Sequence, residues 1–429
     1  MGGQQGSIRI VGGRLVDASR AGEQQAMLLR DGEIVAVGPE AEQGDADRTV
    51  DASGCVVAPG FIDLCCNLRE PGNGQKGNIA SESQAAARGG FTSVCSSPQT
   101  SPVNDSSAVT RLIREVADAQ APIRVRPVGA VTRGLAGELL SDMAALSSAG
   151  CVALGNGMEP VRNARILRRC MAYARTYGIT LMMAPVNEAL AMDGYAHDGL
   201  VASRLGLLGI PEVAETTAVM EMLLLAEETG VRLHLNQLSC ARSVEMVADA
   251  QRRGVAVSAD VAMHQLLFTE EALAGFDSRF HVRPPLRAEA DRQALLAGVR
   301  DGVICAIVSQ HQPHDSAAKQ APVGATEPGL STVESVLSMG LTLVQAGELS
   351  EQQLVRALSA GPASVLGQTA ALEVGAEADI CIFDPAASWQ ANDGTLLSAG
   401  KHAPIRDQDL PGIVRQVWCA GREVWNYET

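Results

Sequence analysis

The chain has 429 residues, 46% of them hydrophobic, a length that suits one large barrel plus a smaller module and a composition that excludes disorder as the dominant state. Basic residues number 34 against 49 acidic, a net charge of −15, so a nucleic-acid backbone or an anionic membrane is repelled at long range. Neither is expected as a partner.

The opening MGGQQGSIRIVGG has no basic leader before an apolar core, and Gly6 breaks a myristoylation pattern. No apolar run reaches membrane-spanning length. The 10 cysteines are scattered, with Cys65 and Cys66 adjacent, which reads as reduced thiols of a cytoplasmic protein. Residues 7–58 read as short strands joined by tight turns. Asp31-Gly32 between two alternating apolar runs is a strong hairpin signal. A similar pattern returns at 371–385 and 412–425. Isolated hairpins are marginal in water, so both ends are expected to build one β-sandwich, from residues 1–58 and 366–429.

Between them lie short apolar runs: FTSVCSS, IRVRPVGAV, GCVALGN, ITLMMAP, VRLHLNQL, VAVSADV and VICAIVSQ. Such runs suit parallel strands buried on both faces. Amphipathic stretches alternate with them, as in 212–230, which ends in Gly230. About eight such units over residues 59–365 predict an α/β protein with a (β/α)8 barrel, whose chemistry belongs at the C-terminal ends of the strands.

The first of those ends carries APGFIDLCCNLREPG (58–72), which resembles the PGFxDxHxHxREPG signature of dihydroorotases and related cyclic amidohydrolases. The resemblance continues through 85–103, 234–254, 257–273, RPPLR (283–287) and QHQPHD (310–315), and covers nearly the whole chain. It implies the barrel-plus-sandwich fold and zinc-dependent hydrolysis of a ring amide. In that chemistry imidazoles hold the metal, and carboxylates or a carboxylated lysine bridge it and move the proton.

Aligned on the family pattern, those positions are changed. Cys65 and Asn67 replace the His-x-His pair, Asn156 stands for an aspartate, and APVN (184–187) lacks the usual histidine. Gln237 replaces the second histidine of HxxHxS, and Gln310 the aspartate of the DHAPH segment, while His234, His311 and His314 remain. Lysine occurs only at Lys76, Lys319 and Lys401, none on a barrel strand. Neutral amides are poor zinc ligands and exchange no proton near neutral pH. Water without a metal keeps its pKa near 15.7 instead of about 7, a difference of roughly 12 kcal/mol in ionisation. No cofactor, no metal and no catalytic residue is therefore expected, and the five changed positions are expected to line a vestigial pocket.

Several residues admit two readings. Cys65 and Cys66 could be a nucleophile or soft ligand pair, but no CxxC or Cys-His-Asn pattern accompanies them, which favours buried strand cysteines. Cys65, His311 and His314 could collect stray zinc, although no carboxylate is apparent to support them. Arg69 aligns with the family's clamp for a substrate carboxylate; the plain alternative is a structural ion pair. His234 and His264 read as hydrogen-bonded core residues. Gly72, Gly74 and Gly77 lack a following G-K-[ST] and mark a βα loop, not a phosphate loop. Residues 313–329 match a lid and are expected to form a mobile surface loop.

The resemblance points to the inactive dihydroorotase-like chains that assemble with aspartate carbamoyltransferase catalytic chains in pyrimidine biosynthesis, as a dodecamer, and it also admits a homodimer. Two other readings stay open. One is an active cyclic amidohydrolase using Cys65, His311 and His314; the other is a metal-free pyrimidine sensor holding an anion on Arg69.

Overall fold

The computed structural model describes residues 6–427. The expectation about an N-terminal leader rests in part on residues 1–5, outside that range. Eight parallel strands form one sheet in sequence order: β1 (Phe61–Cys66), β2 (Phe91–Ser96), β3 (Arg124–Ala130), β4 (Ala153–Gly155), β5 (Leu181–Met183), β6 (Leu233–Leu235), β7 (Val257–Ala262) and β8 (Ala306–Val308). Beyond β8 the ring is drawn together where Cys66 bridges in parallel to His311, and the Asn67 N–H donates to the His311 carbonyl at 2.8 Å.

The strands are apolar on both faces because both are covered. Phe61, Phe91, Val94, Leu154, Leu181, Leu235 and Ile307 join the large cluster shared with the helices. Ile62, Cys95, Val128, Ala153, Met182, Ala262 and Val308 form a separate cluster, the alternate set that fills the barrel. The expected (β/α)8 barrel is therefore present. Helix α1 (Ile79–Arg88) follows β1 and is capped by Asn78, whose side chain accepts from the Ser81 N–H. Helix α2 (Val213–Thr229) ends where the periodicity placed it, at Gly230 with φ 67°.

Both termini build the β-rich region. A four-stranded sheet holds Ile8–Val11, Met27–Arg30, Glu33–Val37 and Arg48–Asp51, and Asp31 and Gly32 turn its hairpin at φ 51° and 87°. In a six-stranded sheet Val56–Pro59 pairs antiparallel with Ile380–Gln390, joining chain segments from opposite ends. Ile10, Leu15, Met27, Leu29, Val57, Ile380, Ile382 and Trp418 pack between the two sheets.

The 313–329 segment differs from expectation. Instead of lying free on the surface it folds into two short 3-10 turns and buries His314, Ala318, Lys319, Val323 and Thr326. Burial of a lysine makes it satisfy its donors. The Lys319 ammonium donates to the carbonyls of Glu327 at 2.6 Å and His281 at 3.1 Å, and its surroundings pull its pKa down to about 8. No helix among the described residues is long and apolar enough to cross a membrane, and all 10 cysteines are free.

Candidate active-site cleft

At the C-terminal mouth of the barrel, Cys65, Asn67, Gln237 and His311 line one cleft with Met158 and Met182. Its volume is about 40 Å³. That is room for a few waters, whereas pockets for drug-sized ligands run to roughly 300–1,000 Å³.

Of the histidines retained there, His234 and His311 have both ring nitrogens engaged, whereas His314 has one, its Nδ1 lying without a hydrogen-bond partner among the described residues, 3.5 Å from Glu327 Oε2. His234 Nε2 lies 2.9 Å from Asp260 Oδ2 and its Nδ1 lies 2.8 Å from Ser258 Oγ. His311 Nδ1 accepts from the Thr332 N–H at 3.0 Å, which fixes the other nitrogen as the donor, to Glu82 Oε2 at 2.8 Å. His314 Nε2 donates to the Pro328 carbonyl at 2.9 Å, and burial with the nearby Arg69 charge pulls its pKa down to about 4. His264 departs from expectation. It is buried, yet neither ring nitrogen has a partner among the described residues, and burial pulls its pKa down to about 4.

Two of the five changed positions do not line the cleft. Asn156 accepts from Thr132 Oγ1 at 2.7 Å and donates to the carbonyls of Leu135 and Glu159 at 3.1 and 3.0 Å, knitting the loop after β4. Gln310 donates to the Arg283 carbonyl at 2.7 Å. The motif places a residue in sequence, and hydrogen-bonding opportunity then turns its side chain. Gln237 stays at the cleft and donates from Nε2 to Asp260 Oδ1 at 3.3 Å, beside its own N–H at 2.6 Å. Burial, with the Asp63 and Asp260 carboxylates, pushes the Cys65 thiol well above its ordinary pKa, so it stays protonated.

These donors do not fit a zinc centre. Neutral imidazole binds zinc through a free ring nitrogen, and at His234 and His311 both nitrogens are spent. Asp63 is also occupied: it accepts from the Ser309 N–H at 3.0 Å, from Ser309 Oγ, and from the Cys65 N–H at 3.2 Å. Burial raises its pKa to about 6 against those bonds. Among the described residues, only His197, Glu212 and Asp291 form a group of three whose metal-binding atoms all lie within 4.8 Å of one another. Arg287 Nη1 sits 3.1 Å from His197 Nδ1, placing a positive charge against that group. Cys65, His311 and His314 form no such group.

Arg69 is held by the lid-like segment. Its Nε donates to the Pro313 carbonyl at 2.8 Å and its Nη2 lies 3.3 Å from His314 Nε2. Lys76 clasps Glu327 at 2.6 and 2.5 Å, fastening the segment to the loop after β1.

Sequence reasoning missed Glu82, the acceptor that organises this end. Besides His311, its carboxylate accepts from Ser398 Oγ at 2.6 Å, Ser81 Oγ at 2.7 Å and the Ala399 N–H at 3.0 Å. Burial opposes ionisation, but the hydrogen bonds outweigh it and hold the carboxyl below its ordinary pKa. A signal existed: in IASESQAAAR, Glu82 falls three residues after Ile79 and three before Ala85, on the buried helix face. It is also the carboxylate partner that the histidines near Cys65 had seemed to lack.

A parallel eight-stranded barrel beside a β region built from both termini is a fold shared with solved hydantoinases. L-hydantoinase from Arthrobacter aurescens superposes with a TM-score of 0.89 at 23% identity, over 98% of this chain and 96% of that one. Dihydropyrimidinase from Brevibacillus agri gives 0.84 at 21%, over 99% and 96%. A family model described as dihydro-orotase-like matches residues 54–243. A dihydroorotase-like protein of Pseudomonas aeruginosa is 47% identical over 417 residues, 97% of this chain and 98% of the relative. A dihydroorotase of Anaeromyxobacter dehalogenans is 39% identical over 419 residues, 97% of each chain. The chain belongs to the dihydroorotase-like family.

Proposed function

We propose that this chain is a dihydroorotase-like protein without hydrolytic activity, serving as an assembly subunit for the aspartate carbamoyltransferase catalytic chain. The observation that carries the loss of activity is the engagement of both ring nitrogens of His234 and of His311 inside the protein. An amide or thiol occupies the remaining ligand positions at the cleft. Hydrolysis by this route needs a metal-activated water, and no group in the cleft makes up the roughly 12 kcal/mol that separates bulk water from a zinc-bound one.

The assembly role rests on the family resemblance, supported by a barrel and β region kept over the whole length while the mouth is filled. A retained fold without its chemistry suits binding better than turnover. The 10 free thiols suit a cytoplasmic setting. The test is native mass measurement of the protein alone and mixed with the carbamoyltransferase chain, with zinc determined on the same sample. A mixed dodecamer free of stoichiometric zinc is expected. A fully active, normally sized carbamoyltransferase in cells lacking this protein overturns the assembly role.

The second reading, an active cyclic amidohydrolase, is favoured by the relatives named dihydroorotase at 39% identity. Stoichiometric zinc together with turnover of dihydroorotate would establish it and remove the first.

A further inference from the structure

The opposite end of the barrel carries a cleft of about 620 Å³ whose lining includes Arg114, Arg124, Arg126 and Arg422. It lies at the N-terminal end of β3, between the helix Ser107–Gln120 and the sandwich turn that links Asp409–Cys419 to Arg422–Asn426. Asp118 is the one acidic residue in that lining. In a chain of net charge −15, such a concentration of guanidinium groups is not what composition supplies by chance.

Only Arg124 is neutralised, by Glu377 and Asp379, each at 2.5 Å. Arg114, Arg126 and Arg422 have no carboxylate partner among the described residues. Each makes one hydrogen bond: Arg114 to the Ala149 carbonyl at 3.0 Å, Arg126 to Ser93 Oγ at 2.7 Å and Arg422 to the Pro122 carbonyl at 2.7 Å. A guanidinium has five N–H donors, so most of their capacity is unspent. Arg126 matters most, because it is half-buried and its one partner is a hydroxyl. A partly desolvated cation without a counter-charge is costly unless an anion completes it.

We infer that this cleft is a binding site for a small polyanion, a di- or triphosphate group or a polycarboxylate, held by Arg114, Arg126 and Arg422. Planar, forked donors suit bidentate contact with phosphate or carboxylate oxygens. The volume falls in the range of small-molecule pockets, roughly 300–1,000 Å³, where the mouth does not. A ligand there would touch the barrel and the sandwich together, so its binding would stabilise their junction.

The test is isothermal titration of the full chain with inorganic pyrophosphate and, separately, with citrate, at constant ionic strength set with chloride. One-to-one saturable binding and a raised Tm are expected with at least one of them. Pyrophosphate alone assigns the phosphate class; citrate alone assigns the carboxylate class. The variants Arg126→Gln and Arg422→Gln are each expected to lose at least about tenfold in affinity, the size of one charge-assisted hydrogen bond. If Arg126→Gln fails to fold, the paired variant Arg114→Gln/Arg422→Gln, at two exposed residues, gives the same reading. No saturable heat at millimolar ligand, or an affinity unchanged in the variants, overturns the proposal.

Discussion

The two ends of the barrel spend their polar groups in opposite ways. At the mouth, Asp63, Glu82 and Asp260 are buried carboxylates that accept from backbone, hydroxyl or imidazole donors, and the space left is about 40 Å³. At the other end, three arginines without ion-pair partners line about 620 Å³. Ligands of such barrels ordinarily sit at the C-terminal face. Here the groups at that face hold one another, and the capacity to hold something else lies at the face usually given to stability. A concave position in a fold does not define a site; unspent donors and acceptors within it do.

If the mouth is a brace, its largest sensitivity is at Glu82. Glu82→Ala removes the acceptor shared by α1, the segment after β8 and residues 398–399, leaves His311 Nε2 and Ser398 Oγ buried without it, and frees the Ala399 N–H. A loss of about 2–5 kcal/mol in urea unfolding is expected, from about 1–3 kcal/mol for each buried donor left without its acceptor. A loss under about 1 kcal/mol would mean that the mouth is not braced and that the contrast with the arginine end is one of shape only.

His264 gives the next largest effect, and with the opposite sign. Its folded pKa of about 4 lies below the ordinary value of 6.5. The stability tied to the neutral ring is therefore complete above pH 6.5 and is lost as pH falls toward 4. At pH 5 the loss is about 2 kcal/mol. Because neither ring nitrogen has a partner, His264→Leu gives up no hydrogen bond among the described residues. It is expected to flatten the fall in stability between pH 7 and 5 by about that amount, measured by urea midpoints across the range. An unchanged slope would place the acid sensitivity elsewhere, with His281 and His314 the next groups to vary, since both have pKa values near 4.

Much of this was legible because it depends on short-range pattern. Asp31-Gly32 sets its hairpin through positive φ, and the β-branched and apolar runs become parallel strands because helices cover one face and barrel side chains the other. Changed ligand positions were legible from the motif, but their orientation was not. Asn156 and Gln310 turn to carbonyls supplied by loops that no spacing rule places. Glu82 organises the mouth through partners 229 and 316 residues away, and the arginine cleft gathers residues from β3, a helix and the far terminus. Pairings of that range are fixed by tertiary packing, to which a periodicity argument has no access. The 313–329 segment differs for the same reason: a lid beside changed ligand positions is expected to lie free on the surface, and the carbonyls that satisfy Lys319 are local to the fold, not to the motif.

The smallest effect tests whether the mouth is shut by one latch or by several. Lys76 and Glu327 form a pair whose glutamate is half exposed, so Lys76→Ala is expected to cost less than about 1 kcal/mol of global stability. Amide exchange should nevertheless quicken across 313–329, because local opening is governed by the contacts a segment must break. Arg69 on Pro313 and Lys319 on Glu327 and His281 survive the change. The variant is therefore expected to bind dihydroorotate no better than the parent protein does. Saturable dihydroorotate binding in Lys76→Ala would show that a single surface pair had been hiding a usable pocket, and the mouth would then resemble the arginine end more than its buried carboxylates suggest.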